Sequence, residues 1–288
     1  MSSPELHEAA GTPLPSTHLS VDLAAVSHPG KVRPANEDHY LLVRFGRYLE
    51  PVATSLPAGS LPEDLKEDAI GLLVADGMGG RQGGEAASRQ AIVSFIELVL
   101  ATPDWILRLD ERTAELAAQR IAERLRQTSE VIAERAAREP QLSGMGTTMT
   151  VAVSFGLDLL VTYVGDSRAY VFRDRRLERL TRDHTMAQDF LDGGVDSGMA
   201  RRFRHVLTHA LGGRSFEPDV RSWRLAAGDR VLLCTDGLSD LVEEQTIAAE
   251  LERHASSAAA CQALVDRALE QGGRDNVTVA IAGYRAAA

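Results

Sequence analysis

The stretch that decides the fold class is residues 146–174, which read "GTTMTVAVSFGLDLLVTYVGDSRAYVFRD". It contains three apolar runs, each too short for a typical helix and rich in the β-branched and aromatic residues that favour strands. Short turn sequences separate the runs, and a short turn can join two strands only if they are antiparallel. The stretch therefore predicts an antiparallel meander, which the run "RLERL" at residues 176–180 extends by one strand.

Strands and helices alternate in groups on both sides of this meander. Apolar runs predict further strands at residues 21–28, 38–45, 70–76, 220–225, 229–236 and 276–284. Helical spacing of apolar residues predicts helices over residues 85–101, about 111–138 and, as a pair, about 243–271. This grouping indicates an α+β fold with antiparallel sheets rather than a doubly wound parallel sheet.

Three segments lack such a pattern. Residues 1–18 are polar and contain helix-opposing prolines, which predicts a disordered N-terminal tail. Residues 46–69 contain three prolines and no firm periodicity, which predicts an irregular surface excursion. Residues 185–213 predict short helices broken by glycines.

Composition excludes several classes of protein. The 288 residues include 41 acidic and 31 basic side chains, a formal net charge of -10, which disfavours nucleic acid or an anionic membrane as partner. Cys234 and Cys261 are too few for a disulfide framework or a cysteine-rich zinc site, so we expect a cytoplasmic location. No run approaches the roughly 20 apolar residues of a membrane span, and the first residues lack the pattern of a signal peptide.

Four turns carry carboxylates. They are "NEDHY" with Glu37 and Asp38, "VADGMGG" with Asp76, "CTDGLSD" with Asp236 and "GGRDNVTV" with Asp275. Carboxylates that converged on one point would repel unless a cation neutralised them, and a set of oxygen ligands alone selects Mg²⁺ or Mn²⁺ over Zn²⁺. Taken singly, each turn could equally be an Asx turn or a helix cap, and the sequence alone does not show that the turns converge.

Other chemistries are disfavoured by spacing. A phosphate-binding P-loop needs a lysine, and the chain has none after Lys66; the dinucleotide glycine pattern fails at Gln82. The thiolate-phosphatase spacing at residues 261–267 lies in a helical pattern, so Cys261 is interpreted as a core residue, and Cys234 likewise. Ser167 lacks the surroundings of a serine-hydrolase nucleophile.

Eight ordered segments together resemble the type 2C family of metal-dependent protein serine/threonine phosphatases, in its bacterial branch. They are "RPANED", "VADGMGG", "GTTMTVAV", "VGDSRAYVFR", "LTRDHT", "VLTHALGG", "LLCTDGLSD" and "GGRDNVTV". The resemblance implies a four-layer α-β-β-α sandwich, in which two central antiparallel sheets are flanked by helix pairs. It implies one phosphatase domain over residues 19–286, in which residues 185–213 form a flap beside the site.

The resemblance also implies the ligands of two Mg²⁺ or Mn²⁺ ions, with a third ion possible at Asp166. Asp76 would bridge the two ions and the Gly77 carbonyl would bind one of them. The remaining ligands and their supporting residues would be Asp38, Asp236 and Asp275, with Glu37 and Asn276 beside them.

The implied reaction is hydrolysis of phosphoserine and phosphothreonine in proteins by a water that bridges the metal ions. Arg33 would hold the substrate phosphate, so that Arg33 and Asp76 carry the catalysis. The expected partners are phosphorylated proteins and serine/threonine kinases, and the chain is expected to be a monomer. The alternative is a phosphatase-like regulatory or binding module with weak catalysis.

Three positions call for separate hypotheses. Many eukaryotic relatives carry a histidine, proposed as the acid for the leaving group, where this chain has Met78, which cannot donate a proton. Bacterial relatives often carry histidine where this chain has Arg81; we expect solvent to supply the proton, and Arg81 could bind phosphate. The basic run "ARRFRH" at residues 200–205 could attract phosphorylated peptides or be a solvated helix end.

Overall fold

Two antiparallel sheets form the centre of the protein. The structure is a computed structural model that describes residues 19–49, 65–79, 83–101, 111–213 and 216–286. The strands are β1 (Leu19–His28), β2 (Asp38–Leu49), β3 (Leu65–Met78), β4 (Gly146–Thr147), β5 (Met149–Phe155), β6 (Asp158–Val164), β7 (Arg168–Arg173), β8 (Arg176–Arg179), β9 (Asp219–Arg224), β10 (Arg230–Cys234) and β11 (Val277–Ala286). The first sheet has the order β1-β11-β10-β7-β8, and the second has the order β2-β3-β5-β6-β9, with β4 paired to β3.

Two pairs of helices cover the outer faces of the sheets, and further short helices lie in the flap segment and directly after β10. They are α1 (Gly83–Ala101), α2 (Glu111–Arg138), α3 (Met186–Asp192), α4 (Ser197–Ala200), α5 (Asp236–Ser239), α6 (Glu244–Arg253) and α7 (Ser257–Glu270). The pair α1 and α2 packs on the second sheet, and the pair α6 and α7 packs on the first. The predicted four-layer α-β-β-α sandwich is confirmed.

Three apolar layers hold these four layers together, and the alternation of side chains along each strand explains how. On β3, Leu73 and Ala75 face the helix pair, whereas Leu72 and Val74 face the other sheet. Because these strands are covered on both faces, they read in the sequence as nearly unbroken apolar runs. Cys234 and Cys261 both lie in the layer under α6 and α7, as the sequence predicted.

The predicted meander is wrong at one point. β5 and β6 pair as a hairpin, but β6 pairs next with β9, whereas β7 pairs with β10 and β8 in the other sheet. The chain changes sheets at residues 165–167, where Gly165 has a φ of +106° and a side chain would collide with Thr148. Asp166 therefore lies at the end of both sheets.

The predicted excursion at residues 46–69 is wrong at both of its ends. β2 and β3 pair in continuous register from Asp38 with Asp76 to Leu49 with Leu65. The prolines that suggested irregular structure stand at positions 51, 57 and 62, beyond both strand ends. Residues 50–64 lie outside the described residues, as do the predicted tail at residues 1–18 and Arg81.

The flap segment at residues 185–213 begins with short helices, as predicted. α3, α4 and a 3₁₀ turn at Arg201–Phe203 follow one another, and each of the two α-helices begins at a capping side chain. Thr185 accepts a hydrogen bond from the backbone of Gln188, and Asp196 accepts one from the backbone of Gly198. Among the described residues, no helix is both long and apolar enough to cross a bilayer.

Candidate metal and phosphate site

The predicted site residues meet at one end of the two sheets. All of them except Asp38 line a cleft of about 1260 Å³, namely Arg33, Glu37, Asp76, Gly77, Asp166, Asp236, Asp275 and Asn276. β2 begins at Asp38, β3 ends just after Asp76, and the turns of Asp236 and Asp275 lie between β10 and β11 at their shared end. The four carboxylate turns, which are far apart in the sequence, therefore converge.

Asp38 joins the two sheets beneath the cleft. It lies opposite Asp76 in the register of β2 and β3, and only 4% of it is exposed. Its Oδ2 accepts hydrogen bonds from the hydroxyls of Thr235, at 2.8 Å, directly after β10, and of Thr278, at 2.7 Å, on β11 of the other sheet. Its Oδ1 is buried and has no hydrogen-bond donor.

Asp76 and Asp236 are brought close by tight turns. The Asp76 carbonyl accepts hydrogen bonds from the Thr148 backbone, at 2.9 Å, and the Thr147 hydroxyl, at 2.7 Å, which fixes the end of β3. Asp236 is the first residue of α5, and its Oδ1 is a second buried carboxylate oxygen without a donor. Both oxygens are acceptors that no described group satisfies.

The electrostatics of the cluster show the cost of this arrangement. Burial, together with repulsion from neighbouring carboxylates, raises the pKa of Asp38 to about 7 and that of Asp236 to about 6. The same causes raise the pKa values of Asp76 and Asp166 well above the usual range.

A hard divalent cation fits this donor set. The two orphaned oxygens need an electron-pair acceptor, the clustered negative charges need neutralisation, and every donor is an oxygen. The residues present therefore match what Mg²⁺ or Mn²⁺ requires.

Arg33 lies at the rim of the cleft with half of its side chain exposed. Its Nη2 donates to Asp275 Oδ2 at 2.7 Å, and this contact is the main cause that raises the pKa of Arg33. Asp275 Oδ1 accepts a hydrogen bond from the backbone of Asn276 at 2.9 Å. The predicted phosphate-binding side chain thus pairs with a predicted metal ligand.

Asn276 and Glu37 organise the loop that carries Arg33. Asn276 Nδ2 donates to the carbonyls of Pro29, at 2.9 Å, and Ala35, at 2.8 Å, while its Oδ1 accepts from the backbone of Glu37 at 2.8 Å. The Glu37 carboxyl lies against Gly84 at the start of α1, and burial raises its pKa. Both residues stand where a supporting role was predicted.

Sequence reasoning gave no site role to Asp240 and Arg274, which line the cleft. His205 of the flap also lines the cleft. Its Nδ1 lies 3.7 Å from a carboxylate oxygen of Asp240 and 4.0 Å from one of Asp236. Asp240 and Arg274 stand within motifs already quoted, four residues after Asp236 and one residue before Asp275, so closeness in sequence to a predicted ligand was an available signal. The contact of His205 with Asp236 and Asp240 had no such signal, because residues 185–213 fold back over α5 only in three dimensions.

Comparisons with known proteins agree with this geometry. A family model described as "Protein phosphatase 2C" matches residues 63–271. Serine/threonine protein phosphatase PstP of Mycobacterium tuberculosis is 37% identical over 218 residues, which cover 73% of this chain and 40% of PstP. Serine/threonine phosphatase stp of Listeria monocytogenes is 32% identical over 216 residues, which cover 72% of this chain and 82% of that protein.

A solved structure shows the same fold. The crystal structure of the catalytic domain of PstP in complex with two manganese ions has a TM-score of 0.72 and 33% identity, covering 93% of this chain and 99% of that chain. The sequence match spans only 40% of full-length PstP.

Proposed function

This chain belongs to the protein phosphatase 2C family, and we propose that it is a metal-dependent phosphatase that hydrolyses phosphoserine and phosphothreonine in proteins. The observation that carries the proposal is the pair of buried carboxylate oxygens without donors, on Asp38 beneath the cleft and on Asp236 in its wall, with Arg33 at the rim. An anionic substrate would otherwise be repelled by these carboxylates, so the cleft requires cations before it can accept phosphate.

The proposed ligands are those that the family resemblance implies. The carboxylates of Asp38, Asp76, Asp236 and Asp275 and the carbonyl of Gly77 would hold two ions of Mg²⁺ or Mn²⁺, and Asp166 would help to hold a third. When bound, such ions lower the pKa of water and offset the negative charge of a phosphoryl group.

The chain's own residues position the substrate. The guanidinium of Arg33 can donate two hydrogen bonds to phosphoryl oxygens, and it makes one contact with Asp275 that phosphate would compete for. The hydroxyls of Thr235 and Thr278 hold one oxygen of Asp38, which leaves the other oriented for a cation. Met78 lines the cleft and cannot donate a proton, so we propose that solvent protonates the leaving alkoxide.

The substrates would be phosphorylated proteins, and the partners would include the serine/threonine kinases whose products this enzyme removes. We propose that the chain acts as a monomer. The alternative, a phosphatase-like regulatory module, has less support because every expected carboxylate is present at the same end of the two sheets.

Hydrolysis of a phosphothreonine peptide, titrated with Mn²⁺, tests the proposal. We expect activity to depend on the metal and to fall by about 100-fold or more in Asp76→Ala and in Asp236→Ala, because each removes a charge that holds the cations. Asp266→Ala, on the exposed side of α7, is the control and should retain wild-type activity. Activity in chelator, or full activity in both site variants, would contradict the proposal.

A further inference from the structure

A second cavity adjoins the cleft beneath the flap. Its volume is about 270 Å³, and it lies between α3 and α4 on one side and β7 and β8 on the other. It shares four wall residues with the cleft, namely Asp166, Arg204, Asp236 and Asp240. A peptide bound in the cleft could therefore extend a side chain into this cavity.

Most of the charges that line this flap cavity are already paired. Asp183 accepts two hydrogen bonds from Arg168, at 2.7 and 3.1 Å, and is also paired with Arg179. Arg204 of the flap lies 3.2 Å from Asp240. These pairs leave little net charge on that part of the wall.

Arg201 is the exception. It lies in the 3₁₀ turn of the flap and lines the cavity, and its side chain forms no ion pair or hydrogen bond with the described part of the chain. The unpaired carboxylates that share the wall, Asp166 and Asp236, are proposed metal ligands. Once cations neutralise them, Arg201 leaves the flap cavity with an excess of positive charge.

The wall also has unused hydrogen-bonding capacity. Arg179 Nε and Ser239 Oγ are buried and have no hydrogen-bond partner in the structure. Both residues line the flap cavity. An anion accepts hydrogen bonds, so it could satisfy these unpaired groups and pair with the guanidinium of Arg201.

We propose that the flap cavity is a specificity subsite for an anionic group carried by the substrate a few residues from the phosphorylated residue, with Arg201 as its binding cation. This inference rests on the proposed function, because it concerns the peptide held in the same cleft. The anionic group can be the carboxylate of an acidic residue or a second phosphoryl group, which share the ability to accept hydrogen bonds from guanidinium.

The neighbouring Arg202 provides a matched control. It carries the same charge on the same turn and is also exposed, but it does not line the flap cavity. If the flap attracts acidic peptides only through its overall charge, the two arginines should matter equally. If the cavity is a site, only Arg201 should matter.

The test uses a set of phosphothreonine peptides that carry no other charged residue except one glutamate. The glutamate stands at a different position in each peptide, from three residues before to three after the phosphothreonine, and each peptide has a matched partner with glutamine instead. The ratio of kcat/KM for each glutamate peptide to its glutamine partner is measured for the full chain with Mn²⁺. We expect a ratio of about five at one or two positions in the wild type, the size of an exposed ion pair. In Arg201→Gln the ratio should fall to about one, and in Arg202→Gln it should persist.

A second phosphothreonine at the preferred position identifies the source of the anion. A larger gain than with glutamate supports a phosphoryl occupant, and an equal gain supports a carboxylate. A wild-type ratio near one at every position would overturn the inference, as would an equal fall in both arginine variants. Failure to hydrolyse any peptide would instead contradict the proposed function.

Discussion

Asp38 shows at the scale of one residue how the site opposes folding. Its side chain is buried, one oxygen accepts two hydroxyl hydrogen bonds and the other has no donor. The hydrogen bonds favour the ionised form, but burial outweighs them and raises the pKa of Asp38 to about 7. Without a cation, ionised Asp38 therefore destabilises the folded protein, which is the expected cost of a preorganised ligand.

The pH dependence of stability in chelator tests this interpretation. The pKa of Asp38 is higher in the folded than in the unfolded chain, so the folded state binds more protons between about pH 4 and 7. The free energy of unfolding should therefore fall as the pH rises through this range, and Asp236, with a pKa of about 6, acts in the same direction.

We expect chelated wild type to lose on the order of 2 kcal/mol of stability between pH 5.5 and 8 relative to Asp38→Asn, as measured by urea unfolding. Asparagine keeps the shape of the side chain and cannot ionise, so its own pH profile provides the reference. Parallel profiles for the two proteins would show that Asp38 does not titrate in this way.

At the scale of elements, two turns come closer together than any residue except glycine allows. A Cβ on Gly237, which starts α5 beside Asp236, would lie 1.9 Å from the carbonyl oxygen of Asn276. A Cβ on Gly77, at the end of β3, would lie 2.1 Å from the carbonyl oxygen of Gly84 in α1. These contacts set the separation of the strand ends that carry the carboxylates.

Gly237→Ala should therefore push α5 away from the turn before β11. We expect a loss of about 2 kcal/mol or more in stability, because the clash is with backbone, together with weaker Mn²⁺ binding by calorimetry. Gly156→Ala is the control: Gly156 has a φ of +61° and open space around it. It should cost roughly 1–2 kcal/mol of backbone strain and leave Mn²⁺ affinity unchanged. Equal Mn²⁺ affinities in both variants would refute the role given to Gly237.

At the scale of the whole molecule, the two sheets are held by an apolar layer with a polar contact inside it. The Tyr284 hydroxyl, on β11, lies 2.7 Å from the hydroxyl of Ser154, on β5 of the other sheet. Tyr284 is 1% exposed, and burial raises its pKa to about 12, so it stays a neutral donor. This hydrogen bond joins the two sheets within the apolar layer between them.

Tyr284→Phe should lower the free energy of unfolding by about 1–2 kcal/mol, because it leaves the buried Ser154 hydroxyl without a partner. The double variant Tyr284→Phe with Ser154→Ala should recover part of this loss, since neither sheet then carries an unpaired polar group. Chemical denaturation of the single and double variants measures both effects. Additive losses would exclude the proposed coupling across the sheets.

The sequence by itself determined the elements and the chemistry of the turns. Apolar runs of strand length and the helical spacing in α1 and α2 are local properties, so both were predictable from short windows. The aspartates were recognisable because each follows or precedes a strand at a turn, and the order of eight segments identified the family. Local patterns failed for the ends of β2 and β3, where polar strand residues conceal a long hairpin.

The tertiary structure alone decided which turns meet. β7 pairs with β10 across some 60 positions of sequence, and Arg33 bonds to Asp275 across 242, contacts that have no local signature. The same holds for the flap, which brings Arg201 to a cavity and His205 to the cleft. Pairing between distant segments depends on burying both faces of every strand at once, and this is a property of the complete sandwich rather than of any stretch within it.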